Sequence, residues 1–119
     1  GLDRIDSNQH ILVVEGPIDS LFLDNCLAVA GADFKLDIDE KDYTVIYDNE
    51  PRNVEIIRRM EKSIEQNQSI VIWPDNIEEK DINDMILSGK TSVEIHRIIS
   101  KNTFSHLHAK TRLINWKKI

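Results

Sequence analysis

Apolar residues in this chain fall into two kinds of pattern. Short unbroken runs occur at Ile11-Leu12-Val13-Val14, Leu27-Ala28-Val29-Ala30, Tyr43-Thr44-Val45-Ile46-Tyr47 and Ser69-Ile70-Val71-Ile72-Trp73. Runs of this length, rich in β-branched and aromatic residues, read as strands buried on both faces. Between and after them, apolar residues recur at helical spacing. Ile18, Leu21, Phe22 and Cys26 share a face of a helix predicted over about 17–25. Val54, Ile57, Met60 and Ile64 form the stripe of another over about 53–66, with Glu55 and Arg59 an i,i+4 pair on its wet face. Asp81 is the N-cap of a third, which turns Ile82, Met85 and Ile86 inward and closes at Gly89. Thr91 or Ser92 caps a fourth, about 93–101, with Val93, Ile95, Ile98 and Ile99 apolar. A last helix from about Ser105 carries Leu107, Leu113 and Trp116. The acidic segment 32–42 reads as a loop or short helix.

This order predicts an α/β sandwich with a four-stranded parallel sheet, helices on both faces and extra helices at the C-terminal end. Right-handed crossovers with a reversal after the second strand give the strand order 2-1-3-4. Strands one and three then lie side by side. Open sheets of this kind place ligands at the carboxyl ends of their strands. Glu15 follows the first strand, with Gly16 allowing a sharp turn and Pro17 suited to the first helical position. Asp48 and Glu50 follow the third strand, alternating so as to project to one side while Asn49 points away.

Composition adds a boundary and a charge. At 119 residues, 40% hydrophobic and 30% charged, the chain is one ordinary domain. No apolar run approaches the roughly 20 residues a membrane helix needs, so no membrane is expected as a partner. A single cysteine, Cys26, leaves no internal disulfide, and a cytoplasmic setting is the expectation. Residues 1–89 hold 8 Lys/Arg against 20 Asp/Glu, whereas residues 90–119 hold 7 against 1. We accordingly divide the chain into a lead-in over 1–9, a core over 10–89 and a basic helical extension over 90–119 packed on the same domain. No Met opens the lead-in, which suggests a segment of a longer protein. The basic extension either packs against the acidic body or meets an anionic partner.

Acids at the ends of neighbouring strands form a compact set of oxygen ligands, the kind Mg²⁺ prefers. Their mutual repulsion is offset by bound cations or shared protons. Asp19, one helical turn beyond Glu15, joins the set, as do Asp81 and Asp84; Asp75 ends the fourth strand. Asp81 could equally do no more than cap its helix. Arg52 and Lys80 flank the acidic loops and either grip a phosphate or balance local charge. His10, His96, His106 and His108 lack metal-ligand spacing and read as structural or surface residues.

Three motifs in order carry a family resemblance: Val14-Glu15-Gly16-Pro17-Ile18-Asp19, then Asp48-Asn49-Glu50 after a hydrophobic strand, then Lys80-Asp81-Ile82-Asn83-Asp84-Met85. Together they resemble the Toprim domain shared by bacterial-type DNA primases, type IA and type II topoisomerases and some nucleases. The last motif looks most like the primase branch. Tyr47-Asp48-Asn49-Glu50-Pro51-Arg52-Asn53 and the closing Asn115-Trp116-Lys117-Lys118 are similar to the primase subunit of large tailed phages. The resemblance implies Mg²⁺-dependent nucleotidyl transfer (with Mn²⁺ an alternative), making short RNA primers from nucleoside triphosphates on single-stranded DNA in an infected cell's cytoplasm. It implies that Glu15 acts as general acid/base or metal ligand and that Asp48 is a metal ligand. Glu50 stands where a second aspartate is usual, and Asn83 where a further acid is usual, with Asp84 able to supply that charge. Family primases carry zinc in an upstream domain, so zinc is not expected in this chain, and a replicative helicase is an expected partner. A Toprim nuclease or topoisomerase fragment, a receiver-like signalling module and a pure binding platform are the alternatives. Tyr43 and Tyr47 lie in or beside a strand, poorly placed for a topoisomerase nucleophile.

Overall fold

The computed structural model describes residues 10–28 and 43–119. Its elements are β1 (Ile11–Val14), α1 (Pro17–Ser20), β2 (Cys26–Ala28), β3 (Tyr43–Ile46), α2 (Val54–Glu65), β4 (Ser69–Val71), α3 (Ile82–Leu87), α4 (Ser92–Lys101), β5 (Thr103–Phe104) and α5 (His106–Trp116). The sheet order is β2-β1-β3-β4-β5. The first four strands are parallel and stand in the order read from the sequence. A fifth, antiparallel strand was not expected: Thr103 pairs with Val71 and Phe104 with Ile70. It covers the edge that β4 would otherwise leave unpaired. Residues 1–9 and 29–42, including the acidic segment and the tail of the second predicted strand, lie outside the described residues.

Period-two alternation explains why the strands are apolar throughout. Ile11, Val13, Tyr43, Val45, Ile70 and Ile72 face α2 and α5, packing on Ile57, Met60, Ile64, Leu113 and Trp116. Leu12, Val14, Ile46, Val71 and Trp73 face the other way, onto Leu23, Ile82, Met85, Ile95 and Ile99. Each strand thus serves two cores, as parallel sheets covered on both faces require.

The helices differ from expectation in detail. The first is a single turn, so Ile18 and Leu21 are exposed rather than inward, and Cys26 begins β2 as a buried residue. Val54, Val93 and Leu107 are exposed as well, because each sits in or next to the first turn of its helix, ahead of the packed stripe. In α2 the inward face is Ile56, Ile57, Met60, Ser63 and Ile64. Its N-cap is Asn53, whose side chain accepts from the N–H groups of Glu55 and Ile56. Thr91, not Ser92, caps α4, and Glu94 completes a capping box with it. The basic extension packs through Ala109, Leu113 and Trp116 of α5, which are buried against α2 and the sheet.

Candidate functional site

The carboxyl ends of β1 and β3 open into a cleft of about 400 Å³ lined by Glu15, Gly16, Ile18, Asp19, Asp48, Asp81 and Asn83. Parallel pairing of Val14 with Ile46 brings the two strand ends level, so residues 33 apart in sequence meet here. Gly16 has an ordinary extended backbone, φ −87°, so its role is not the sharp turn expected of it. A Cβ there would stand 3.3 Å from Asp19 Oδ2, and the missing side chain lets this carboxylate pack against the turn.

Asp19 is buried, and its Oδ1 accepts a 2.9 Å bond from the N–H of Asn83, tying α1 to the start of α3. Burial pushes its carboxyl above the ordinary value, against that bond, and the charges of Asp81 and Asp84 add to the rise. Asp48 is pushed up to about 6, first by burial and then by the charges of Asp19, Asp81 and Glu50, with Lys80 opposing. Asp81 caps α3: its Oδ1 accepts from the N–H of Asp84 at 2.8 Å. Asp81 also lines the cleft, so capping and site membership coexist in one residue. Asp84 itself is exposed and reaches the site only through its field.

Glu15 has a partner that spacing along the chain does not reveal. Arg59 Nη1 donates to its Oε2 at 2.6 Å, while Arg59 Nε lies 3.9 Å from Glu55 Oε1. Arg59 therefore reaches to the carboxyl end of β1 besides pairing along its own helix. Glu15 Oε1 and Arg59 Nε are both buried without a hydrogen-bond partner. The one signal for this pairing is an arginine on an inward-leaning position of α2, which spacing alone assigns equally to Glu55.

Glu50 is not among the residues lining the acidic cleft; its side chain turns to the adjoining cavity of about 670 Å³, between the β3–α2 and β4–α3 loops. There Asn53 Nδ2 donates to its Oε2 at 3.0 Å, and Lys80 Nζ is 3.7 Å from its Oε1. Arg52 and Asp75 are exposed and line the same cavity. Asn49 does not point idly away: it is hydrogen-bonded to the facing loop and to Trp116.

Among the described residues, no three His, Cys, Asp or Glu side chains stand close enough to hold one ion between them. Mg²⁺, however, commonly takes only one or two carboxylates and keeps several waters. Asp48, with its raised carboxyl, and Glu15, whose Oε1 is buried without a partner, are a pair of carboxylates in this cleft that fits such an ion.

Fold and cleft define an α/β domain of doubly wound type with an acid cluster at a strand-end crevice. The chain is 37% identical over 123 aligned residues to the DNA primase of Enterobacteria phage T4, a similarity that covers this whole chain and 36% of that protein. This chain thus spans about a third of the length of the primase it resembles. No family model matches it. Among the described residues, no helix is long and apolar enough to cross a membrane.

Proposed function

We propose that this chain is the Toprim-type catalytic domain of a phage-type DNA primase, joining ribonucleotides into short primers on single-stranded DNA. The observation that carries this reading is the gathering of Asp19, Asp48 and Asp81 beside Glu15 in one cleft, where burial first and the neighbouring charges second push Asp48 up to about 6. A fold tolerates such crowding where a cation balances it. The likeness to a phage DNA primase supports assigning that cation to nucleotidyl transfer. When bound, Mg²⁺ or Mn²⁺ would supply charge stabilisation to the attacking and leaving oxygens. Asp48 is the principal ligand with Glu15 beside it and Asp19, Asp81 and Asp84 in support, while Glu50, expected in the same set, serves from the adjoining cavity. Lys80 and Arg52 stand ready for nucleotide phosphates on the side of Glu50. Single-stranded DNA, nucleoside triphosphates and a replicative helicase are the partners of the full-length protein, acting in an infected cell's cytoplasm.

Primer synthesis by the full-length protein on single-stranded DNA tests the reading. The Glu15→Ala and Asp48→Ala proteins are expected to fold and to make no primer; full activity in either contradicts it. Mg²⁺-dependent DNA cleavage that ignores nucleoside triphosphates would instead establish the nuclease alternative.

Arg59 gives a separate prediction. It neutralises Glu15 and so competes with any cation for Oε2. Arg59→Met should tighten Mg²⁺ binding severalfold in a calorimetric titration. It should also lower the stability of the metal-free domain by about 1–2 kcal/mol, because a half-buried carboxylate loses its partner. Weaker Mg²⁺ binding would show that Arg59 supports the site instead of competing for it.

A further inference from the structure

With Glu15 paired to Arg59, the three aspartates of the cleft, Asp19, Asp48 and Asp81, still repel each other, so some neutral structure must hold them together. The bond from Asn83 ties Asp19 to α3, whose N-cap is Asp81, but it does not reach Asp48, which comes from a different loop. The residues next to them in the chain supply the connection. The N–H of Asn49 donates to the carbonyl oxygen of Lys80 at 2.6 Å, setting residues 48–49 alongside 80–81. The Asn49 side chain repeats the grip: Nδ2 donates to the carbonyls of Ile77 at 2.9 Å and Glu79 at 3.1 Å. Two carbonyl acceptors fix which end of the amide is nitrogen. Its remaining end, Oδ1, accepts from Trp116 Nε1 at 3.2 Å, and the N–H of Lys118 donates to Pro51 O at 2.8 Å.

We propose that Asn49 is the positioning residue that assembles the acid cluster, clamping the Asp48 loop to the Asp81 loop, with the C-terminal helix as the brace through Trp116. This rests on the cleft being a cation site, as proposed above, but the clamp itself is a matter of hydrogen bonds. The residue type is demanding. Aspartate has no donors for the two carbonyls and would add a charge to a site already crowded with acids; glutamine would overshoot them; an apolar residue would leave three partners unpaired. Only an amide of this length meets two carbonyls and an indole N–H together. The brace also gives the basic extension a role in the site: α5 is built into the architecture of the acidic loops.

The test compares wild type, Asn49→Ala and Trp116→Phe by amide hydrogen exchange and by Mg²⁺ calorimetry. Without metal, the Asn49→Ala protein should exchange its amides at 77–84 at least about tenfold faster, while those of β1 and β3 keep their protection. Its Mg²⁺ affinity per folded molecule should fall at least about tenfold, as for other residues that orient metal ligands. Trp116→Phe, which removes one indole N–H and keeps most of the packing, should move both readouts in the same direction and less far, and it decides the matter if Asn49→Ala fails to fold. Uniform loss of protection across the domain, or loosened loops with unchanged Mg²⁺ affinity, would overturn the proposal. A wild type that binds no Mg²⁺ while the loop amides respond as expected would count against the primase reading and leave the clamp established.

Discussion

Replacing Asp48 with Asn is expected to lower primer synthesis by the full-length protein by about 10²-fold or more, since metal-ion charge stabilisation is worth several kcal/mol. The same change should make the metal-free domain more stable at pH 7.5, which separates loss of a site from loss of a fold. The reason lies in the direction of the shift. Asp48 is raised from an ordinary 3.8 to about 6, chiefly by burial and then by Asp19, Asp81 and Glu50. Its folded form therefore takes up a proton before the unfolded chain does, and metal-free stability rises as pH falls from above 6 towards 3.8. Asp19, also raised, acts with the same sign. Glu79 acts oppositely and lower: hydrogen bonds from Lys90 and Ser88 hold it down to about 2, so its contribution is present above 4.5 and is lost as pH falls towards 2. Thermal melts of wild type between pH 7.5 and 4.5 should climb, and those of Asp48→Asn should climb less. A wild type that melts lower at pH 5 than at pH 7.5 would refute this account of the cluster.

Trp73→Ala is expected to cost about 3–5 kcal/mol, a large part of the roughly 5–15 kcal/mol that keeps a domain folded. Trp73 is 1% exposed among Val14, Ile46, Leu23 and Met85, so truncation leaves a cavity that neighbours on two rigid strands cannot fill. Its indole N–H also donates to the Tyr47 carbonyl at 2.9 Å, immediately before Asp48 in the chain. Trp73→Phe keeps most of the packing but takes the indole donor away from that carbonyl, and should cost about 1–3 kcal/mol. Urea midpoints of the two variants check both numbers. Near-equal losses would mean that the hydrogen bond, not the packing, dominates at this position.

Much of this architecture is legible in the sequence because parallel strands covered on both faces leave an unmistakable run of apolar residues. Ile11–Val14 and Tyr43–Tyr47 are two such runs, and the adjacency of their ends follows from crossover handedness. That adjacency alone is enough to set Glu15 near Asp48. The features that escape such a reading have weak or ambiguous local signals. Thr103-Phe104 is too short to show an alternation, and its pairing with β4 depends on where α4 ends. Arg59 satisfies the helical i,i+4 rule with Glu55, which hides its stronger bond to Glu15 from any reading by spacing. Glu50 is expected beside Asp48, but alternation along an extended chain fails where the backbone turns: the N–H of Asn53 bonds to the Glu50 carbonyl in the turn before α2. Asn49 carries no signal at all, because nothing in a sequence tells a solvated asparagine from one whose every polar group is used.

Everything proposed for this site turns on carboxylates at the ends of β1 and β3, Asp48 foremost, holding one divalent cation. Titrating the metal-free wild-type domain with Mg²⁺, by calorimetry at pH 7.5, tests it most directly when repeated on Asp48→Asn. Saturable binding is expected in the wild type, and its loss in the variant. Equal Mg²⁺ binding by both proteins, or none by the wild type, would contradict it.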